Sequence, residues 1–128
     1  MYKLSQRSLE RRAGVDPRLI EICDLAIKIT IIDFGIPRDG GVRTAQRQLQ
    51  LYQDGSSRAD GTKHKSRHQS GKALDFYAYV DGSASWEREH LAIVACAFFE
   101  ASSILDEHIR WGGLFKSFTD MPHIELLD

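Results

Sequence analysis

The chain has 128 residues, 42% hydrophobic and 27% charged, which fits one soluble domain able to bury a real core. A formal net charge of -1 excludes both a global basic field for nucleic acid and an acidic tail. The longest apolar run, Leu91 to Phe99, falls well short of the roughly 20 residues that span a bilayer, so no membrane insertion is expected.

The N-terminal stretch carries Lys3, Arg7, Glu10, Arg11 and Arg12 with no apolar run between them. A secretory signal needs about 7–15 consecutive apolar residues. The expectation is therefore a protein made in the cytoplasm that needs help to leave it. Asp16 followed by Pro17 is a helix start, because Asp caps free N–H groups and Pro suits the first helical position. Leu19, Ile22, Cys23, Ala26 and Ile27 then recur at helical spacing. Ile29 to Phe34 reads as a strand or as the end of that helix, and periodicity does not choose between them. Gly35, Pro37, Gly40 and Gly41 interrupt the chain before a second helix over Thr44 to Gln53. Asp54 to Ser70 is a polar loop long enough to suggest a functional role.

Ala73 to Val80 reads as one strand, with Leu74, Phe76, Ala78 and Val80 on one face and Asp75, Tyr77 and Tyr79 on the other. Ser85 is the candidate cap of a third helix that runs to Leu105. Its middle is apolar nearly all round, as a central core helix requires. Ile109 to Trp111 and His123 to Leu127 are short strand candidates. Cys23 and Cys96 both fall in apolar stretches and are expected as buried thiols, since no short Cys spacing suggests a disulfide or a thiolate metal site. The sum is a single α+β domain over 1–128: a small, mainly antiparallel sheet packed with about three helices.

Potential chemistry concentrates in two places. His68 ends the polar loop and Asp75 follows on the next strand, with Gly71 allowing a tight turn between them. Near the C-terminus, Asp120 precedes His123 by three residues, and Pro122 keeps this piece out of helix. Two imidazoles and a carboxylate suit a catalytic zinc that keeps one position open. A further carboxylate beside it can move the proton of an activated water. Spacing alone leaves surface or core roles as the stronger reading of these residues.

The residues from Ser66 to Asp75 match the pattern S-x-H-x-x-G-x-A-x-D at every defined position, and this resembles the M15 family of zinc peptidases. That family includes D-alanyl-D-alanine carboxypeptidases and the phage endopeptidases that cut the L-Ala–D-Glu bond of peptidoglycan. Trp111-Gly112-Gly113, Lys116-Ser117-Phe118 and Asp120-Met121-Pro122-His123 are similar to the endopeptidase branch in particular. So are Gly41-Val42-Arg43-Thr44, Gln48, Leu51-Tyr52 and the stretch from Ser8 to Leu19, so the likeness covers nearly the whole chain.

The resemblance implies zinc on His68, Asp75 and His123, in a cleft at the sheet. It implies Asp120 as general base, where many relatives carry Glu. It gives Arg43 the developing oxyanion or a substrate carboxylate, against the plain alternative of a surface helix arginine. Ser66 orients the loop or touches substrate, or is a plain turn-forming serine. Gln48 lines the cleft or faces solvent, and Trp111 walls the cleft or packs in the core. His64, His90 and His108 are expected at the surface. Lys63, Lys65, Arg67 and Lys72 form a basic stretch that either draws in an acidic peptide or is simply solvated. The implied function is an endolysin-like, monomeric zinc endopeptidase acting on the peptidoglycan stem, without a separate wall-binding domain and dependent on a holin for access. Its rivals are a D-alanyl-D-alanine carboxypeptidase of the same family and a catalytically inactive zinc-binding module that only binds the wall.

Overall fold

Helix starts follow the side chains that cap them in a computed structural model, which describes residues 1–128. Ser5 accepts from the Ser8 N–H to open α1 (Gln6–Arg11). Asp16 accepts from the Arg18 N–H to open α2 (Pro17–Ile29), with Pro17 in the first turn. Thr44 accepts from the Arg47 N–H to open α3 (Ala45–Gln53). The fourth helix, α4 (Arg88–Ile104), has no such bond at its Glu87 cap position. Ser85, the expected cap, sits instead in a strand, where its hydroxyl meets the His90 ring at 2.7 Å.

The strands are β1 (Asp33–Gly35), β2 (Ala73–Asp75), β3 (Tyr77–Val80), β4 (Ser83–Ser85), β5 (Ile109–Trp111) and β6 (His123–Leu126). They form two antiparallel sheets of three, in the orders β1-β3-β4 and β2-β6-β5. The single strand expected over Ala73 to Val80 is thus two strands that serve different sheets. The alternation survives the break: Leu74, Phe76 and Ala78 are all buried. At the junction the Phe76 N–H turns to the Pro122 carbonyl and the Asp75 N–H to the Gly40 carbonyl.

The open segment from Ile29 to Phe34 resolves in the same way. The helix stops at Ile29, and the Thr30 hydroxyl donates to the Ile32 carbonyl before the chain enters β1. The short α1 is a fourth helix beyond the three expected.

One core joins both sheets to α2 and α4. Leu19, Ile22, Cys23 and Ala26 face Leu91, Val94, Phe98 and Ala101, with Leu74, Ile124 and Leu126 closing the cluster from the second sheet. Phe34, Phe76 and Phe98 pack ring to ring at centroid distances of 5.2 to 6.4 Å. Each such fully buried side chain contributes about 1.5–3 kcal/mol. Helix α4 is not buried all round: Cys96 is exposed, so only Cys23 is the buried thiol expected of both. Its buried residues Leu91, Val94, Ala95, Ala97, Phe98, Ala101 and Ser102 share one broad face, which leaves Cys96 on the outer side.

Asp16 links this core to the segment around His68. Its N–H donates to the Gly71 carbonyl at 2.9 Å, and its carboxylate accepts from Arg18 and from Lys72. Hydrogen bonds from these two partners hold the Asp16 carboxyl well below the usual carboxylate range. Its stabilisation is therefore complete above the unfolded-state pKa of about 3.9 and drains as pH falls through the lower native value. Asp16→Ala should lower the unfolding free energy by roughly 1–2 kcal/mol at neutral pH. In denaturant titrations the gap from wild type should narrow only in acid, below about pH 4. A gap that does not change with pH would show that the charge contributes nothing.

Candidate metal centre

The polar loop ends in a 3-10 turn, Arg67–Ser70. Ser66 accepts from the His68 N–H and Gln69 reaches back to the Ser66 N–H, which closes a capping box. Gly71 then takes a φ of 75°, where an added Cβ would sit 3.2 Å from the Gly14 carbonyl oxygen. This turn drops His68 beside β2. Across the second sheet, Asp75 of β2 lies directly opposite His123 of β6. Cross-strand partners bring their Cβ atoms to within about 5.5 Å. His68 and Asp75, from one short segment, thus meet His123 from near the end of the chain.

Their donor atoms all lie within 4.8 Å of one another. His68 Nε2 is 3.1 Å from Asp75 Oδ1, and His123 Nδ1 is 3.3 Å from the same oxygen. A cation with bonds of about 2.0–2.1 Å to tetrahedral ligands sets donor–donor edges of roughly 3.3 Å, so the triad fits a metal of that size. The far side of each ring is also fixed. His68 Nδ1–H donates to the Gly41 carbonyl at 2.9 Å, which leaves Nε2 for a metal. His123 Nε2–H donates to Glu125 at 2.8 Å, which leaves Nδ1. The other oxygen of Asp75 accepts from Arg43 at 3.0 Å.

Burial alone would push the Asp75 carboxyl up, but the adjoining His68 and His123 outweigh it and hold the group well below its ordinary range. Burial likewise opposes charge on His123, yet Asp75 and Glu125 outweigh it and push its pKa up to about 9. Without a metal the triad therefore retains a proton that a cation must displace. Asp120 lies 3.8 Å from His123 Nδ1 and outside the triad. Burial, and then the Asp75 charge, raise its pKa above the ordinary value. Its loop is fastened at both ends, because the Asp120 N–H donates to the Gly112 carbonyl and Trp111 Nε1–H donates to the Met121 carbonyl. A methyl group at Gly112 would collide with the Asp120 carbonyl, so this position needs glycine.

The triad forms the floor of a cleft of about 940 Å³, with Arg43, Ser66 and Asp120 also on its lining. Gln48 does not line the cleft and does not face solvent. It is fully buried, accepts from Arg43, and donates to Ser57 and to the Ala59 carbonyl. A polar residue on a polar helix gave no sign of this, because its partners lie on a loop. Trp111 does not wall the cleft either: its ring packs against the core from β5, beside the Gly113 backbone. His90 and His108 lie away from the cleft, whereas His64 is on its wall. Glu125 was not singled out by sequence reasoning. The signal was present in the two-residue strand period, which puts His123 and Glu125 on the same face of β6.

Comparison with known proteins gives the family and the fold. The family profile described as phage L-alanyl-D-glutamate peptidase matches residues 1–127. The chain belongs to that family. It is 30% identical over 120 residues to the L-alanyl-D-glutamate peptidase of Escherichia phage T5, covering 93% of this chain and 85% of that protein. The crystal structure of the Serratia marcescens L-Ala D-Glu endopeptidase ChiX superposes with a TM-score of 0.84 at 32% identity, covering 97% of this chain and 90% of that one. The α+β fold expected from sequence is thus shared by that solved structure.

Two outcomes follow for metal binding. Glu125→Ala frees the far nitrogen of His123 and should weaken metal affinity by roughly 10–100-fold, while Glu125→Gln, which still accepts from Nε2–H, should retain most of it. Competition against a chromophoric chelator reads both, and equal affinity in all three proteins would rule out a supporting role. Because His123 must lose its proton to bind, apparent affinity in the wild type should rise by roughly tenfold per pH unit and level off near pH 9. A flat profile between pH 6 and about 8 would mean that no proton is displaced there.

Proposed function

We propose that this chain is a zinc-dependent endopeptidase that hydrolyses the L-Ala–D-Glu bond of the peptidoglycan stem. The observation that carries the reading is the convergence of His68, Asp75 and His123 on one point, with the Asp120 carboxylate beside it on an open cleft. Membership of a peptidase family named for this bond supports the choice of substrate. Two imidazoles and one carboxylate suit zinc among the common cations.

Zinc held by His68, Asp75 and His123 would supply Lewis acidity toward the scissile carbonyl and lower the pKa of the attacking water. Asp120 takes the proton of that water and passes it to the leaving amine. Arg43 has five N–H donors, of which three are engaged by the Asp39 carbonyl, Gln48 and Asp75. The two that remain, on a guanidinium that lines the cleft, stabilise the negative oxygen that develops on the carbonyl. Ser66 orients the turn that carries His68 and borders the substrate path.

Residues 1–128 act as one catalytic domain and as a monomer on this reading. No helix of the protein is long and apolar enough to cross a membrane. Access from the host cytoplasm to the wall would accordingly depend on a holin-type partner that permeabilises the membrane.

Digestion of purified peptidoglycan, with mass spectrometry of the fragments, tests the proposal. Wild type should release stems with new N-terminal D-Glu, and both chelator and His68→Ala should abolish this. Asp120→Asn should keep its metal and lose roughly 10²–10⁴ in kcat. Loss of single D-Ala residues instead would assign a carboxypeptidase. Absence of any cleavage by folded, zinc-loaded protein would leave a wall-binding module.

A further inference from the structure

Three guanidinium groups line the cleft, from Arg43, Arg58 and Arg67. Arg43 is engaged by the Asp39 carbonyl, Gln48 and Asp75. Arg67 donates to the Leu126 and Asp128 carbonyls and lies 3.7 Å from Glu125. Of the basic stretch noted in the sequence, Lys72 pairs with Asp16, and neither Lys63 nor Lys65 reaches the cleft. Arg58 differs from all of these. It forms no ion pair, and its Cζ sits 4.3 Å above the Phe118 ring.

The ring holds one face of the guanidinium without neutralising it, which leaves the N–H edge open. That seat is tied to the metal site by ring contacts. Phe118 packs on Phe115 at 6.3 Å, and Phe115 packs on His123 at 5.8 Å. The cleft therefore presents one uncompensated, oriented cation on a wall continuous with its floor. A planar guanidinium edge of this kind matches a carboxylate by two parallel hydrogen bonds.

In a peptidoglycan stem, D-Glu continues the chain through its γ-carboxyl group. Its α-carboxyl is left free, one carbon away from the nitrogen released on cleavage. We propose that Arg58, seated on Phe118, is the subsite for this α-carboxylate, so that the protein distinguishes stems carrying D-Glu from stems in which that group is amidated. The proposal rests on the endopeptidase reading above.

The test uses two disaccharide stem tetrapeptides that differ only in a free α-carboxylate or an α-carboxamide on the D-Glu residue. The zinc-loaded full chain should cleave the carboxylate form with a kcat/KM roughly tenfold to hundredfold higher, as expected for hydrogen bonds to a charged group. Arg58→Gln should bring this ratio close to one, and Phe118→Leu should reduce it to an intermediate value. A folding defect scales both rates alike and leaves the ratio where it was, so the ratio isolates recognition. Equal rates for the two substrates in wild type, or an undiminished ratio in Arg58→Gln, would overturn the subsite while leaving the peptidase reading intact. Cleavage of neither substrate by the wild type would remove that reading, and the subsite with it.

Discussion

Asp75 stands with one carboxylate oxygen against two histidines and the other on Arg43, largely out of solvent. A carboxylate in such a place costs several kcal/mol unless each lone pair is met, so the partners are requirements of folding as well as of function. The requirement spreads outward. Arg43 can hold Asp75 only because the Asp39 carbonyl and Gln48 fix the rest of its guanidinium. Gln48 is in turn anchored by Ser57 and the Ala59 carbonyl on the loop that walls the cleft. One buried charge thus ties helix α3, the 37–43 loop, the cleft wall and strand β2 into one arrangement.

The backbone performs the rest of the positioning. The Gly40 carbonyl accepts from the Asp75 N–H, the Gly41 carbonyl accepts from His68 Nδ1–H, and the Arg43 N–H donates to the His68 carbonyl. A stretch of four residues therefore touches two of the three residues that could hold a metal, His68 and Asp75. Gly41 is fixed there by crowding, since a methyl group on it would collide with the Arg11 carbonyl. This explains why α1, which contributes only Ser8 to the buried interior, belongs to the functional fold: it forms the surface against which the glycine loop is pressed. The Ser8 hydroxyl accepts from the Ile36 N–H, and Arg11 donates to the Ile36 carbonyl, which secures the same junction.

Much of this was legible in the sequence, and the limits have physical causes. The cap at Asp16 acts locally, within three residues, and could be read directly. The alternation from Leu74 to Ala78 gave the buried face correctly, because side-chain direction depends only on the strand period. It did not give the change of sheet at Phe76, because hydrogen-bond partners are chosen by distant segments. The ligand triad became readable only through the resemblance carried by Ser66 to Asp75 and by Asp120 to His123; no local rule requires His123 to face Asp75. Gln48 and Trp111 show the same limit from the other side. Both are polar-tipped residues whose partners, Ser57 and the Met121 carbonyl, lie on loops that periodicity does not describe. The exposed Cys96 shows that an apolar run can overstate burial when a helix faces the core on one side only.

The distribution of charge separates the floor of the cleft from its walls. On the floor, Asp75 is matched by Arg43 and Glu125 by Arg67, each pair joining a strand to a neighbouring turn or loop. Such pairs favour a rigid constellation, since removing either partner leaves an uncompensated charge. The walls come from the 55–66 and 115–122 segments, which contain no strand and no α-helix. Loops tolerate change while the scaffold under them keeps its geometry, so selectivity can be adjusted there without moving His68, Asp75 or His123. The stacking of Arg58 on Phe118 is the contact that brings these two walls together. Two ionic groups of the cleft then remain without a full opposite charge: Asp120, with only the His123 ring at 3.8 Å, and Arg58. A carboxylate free to take up a proton and a guanidinium free to meet an anion are what a hydrolase needs left over once its scaffold charges have been satisfied.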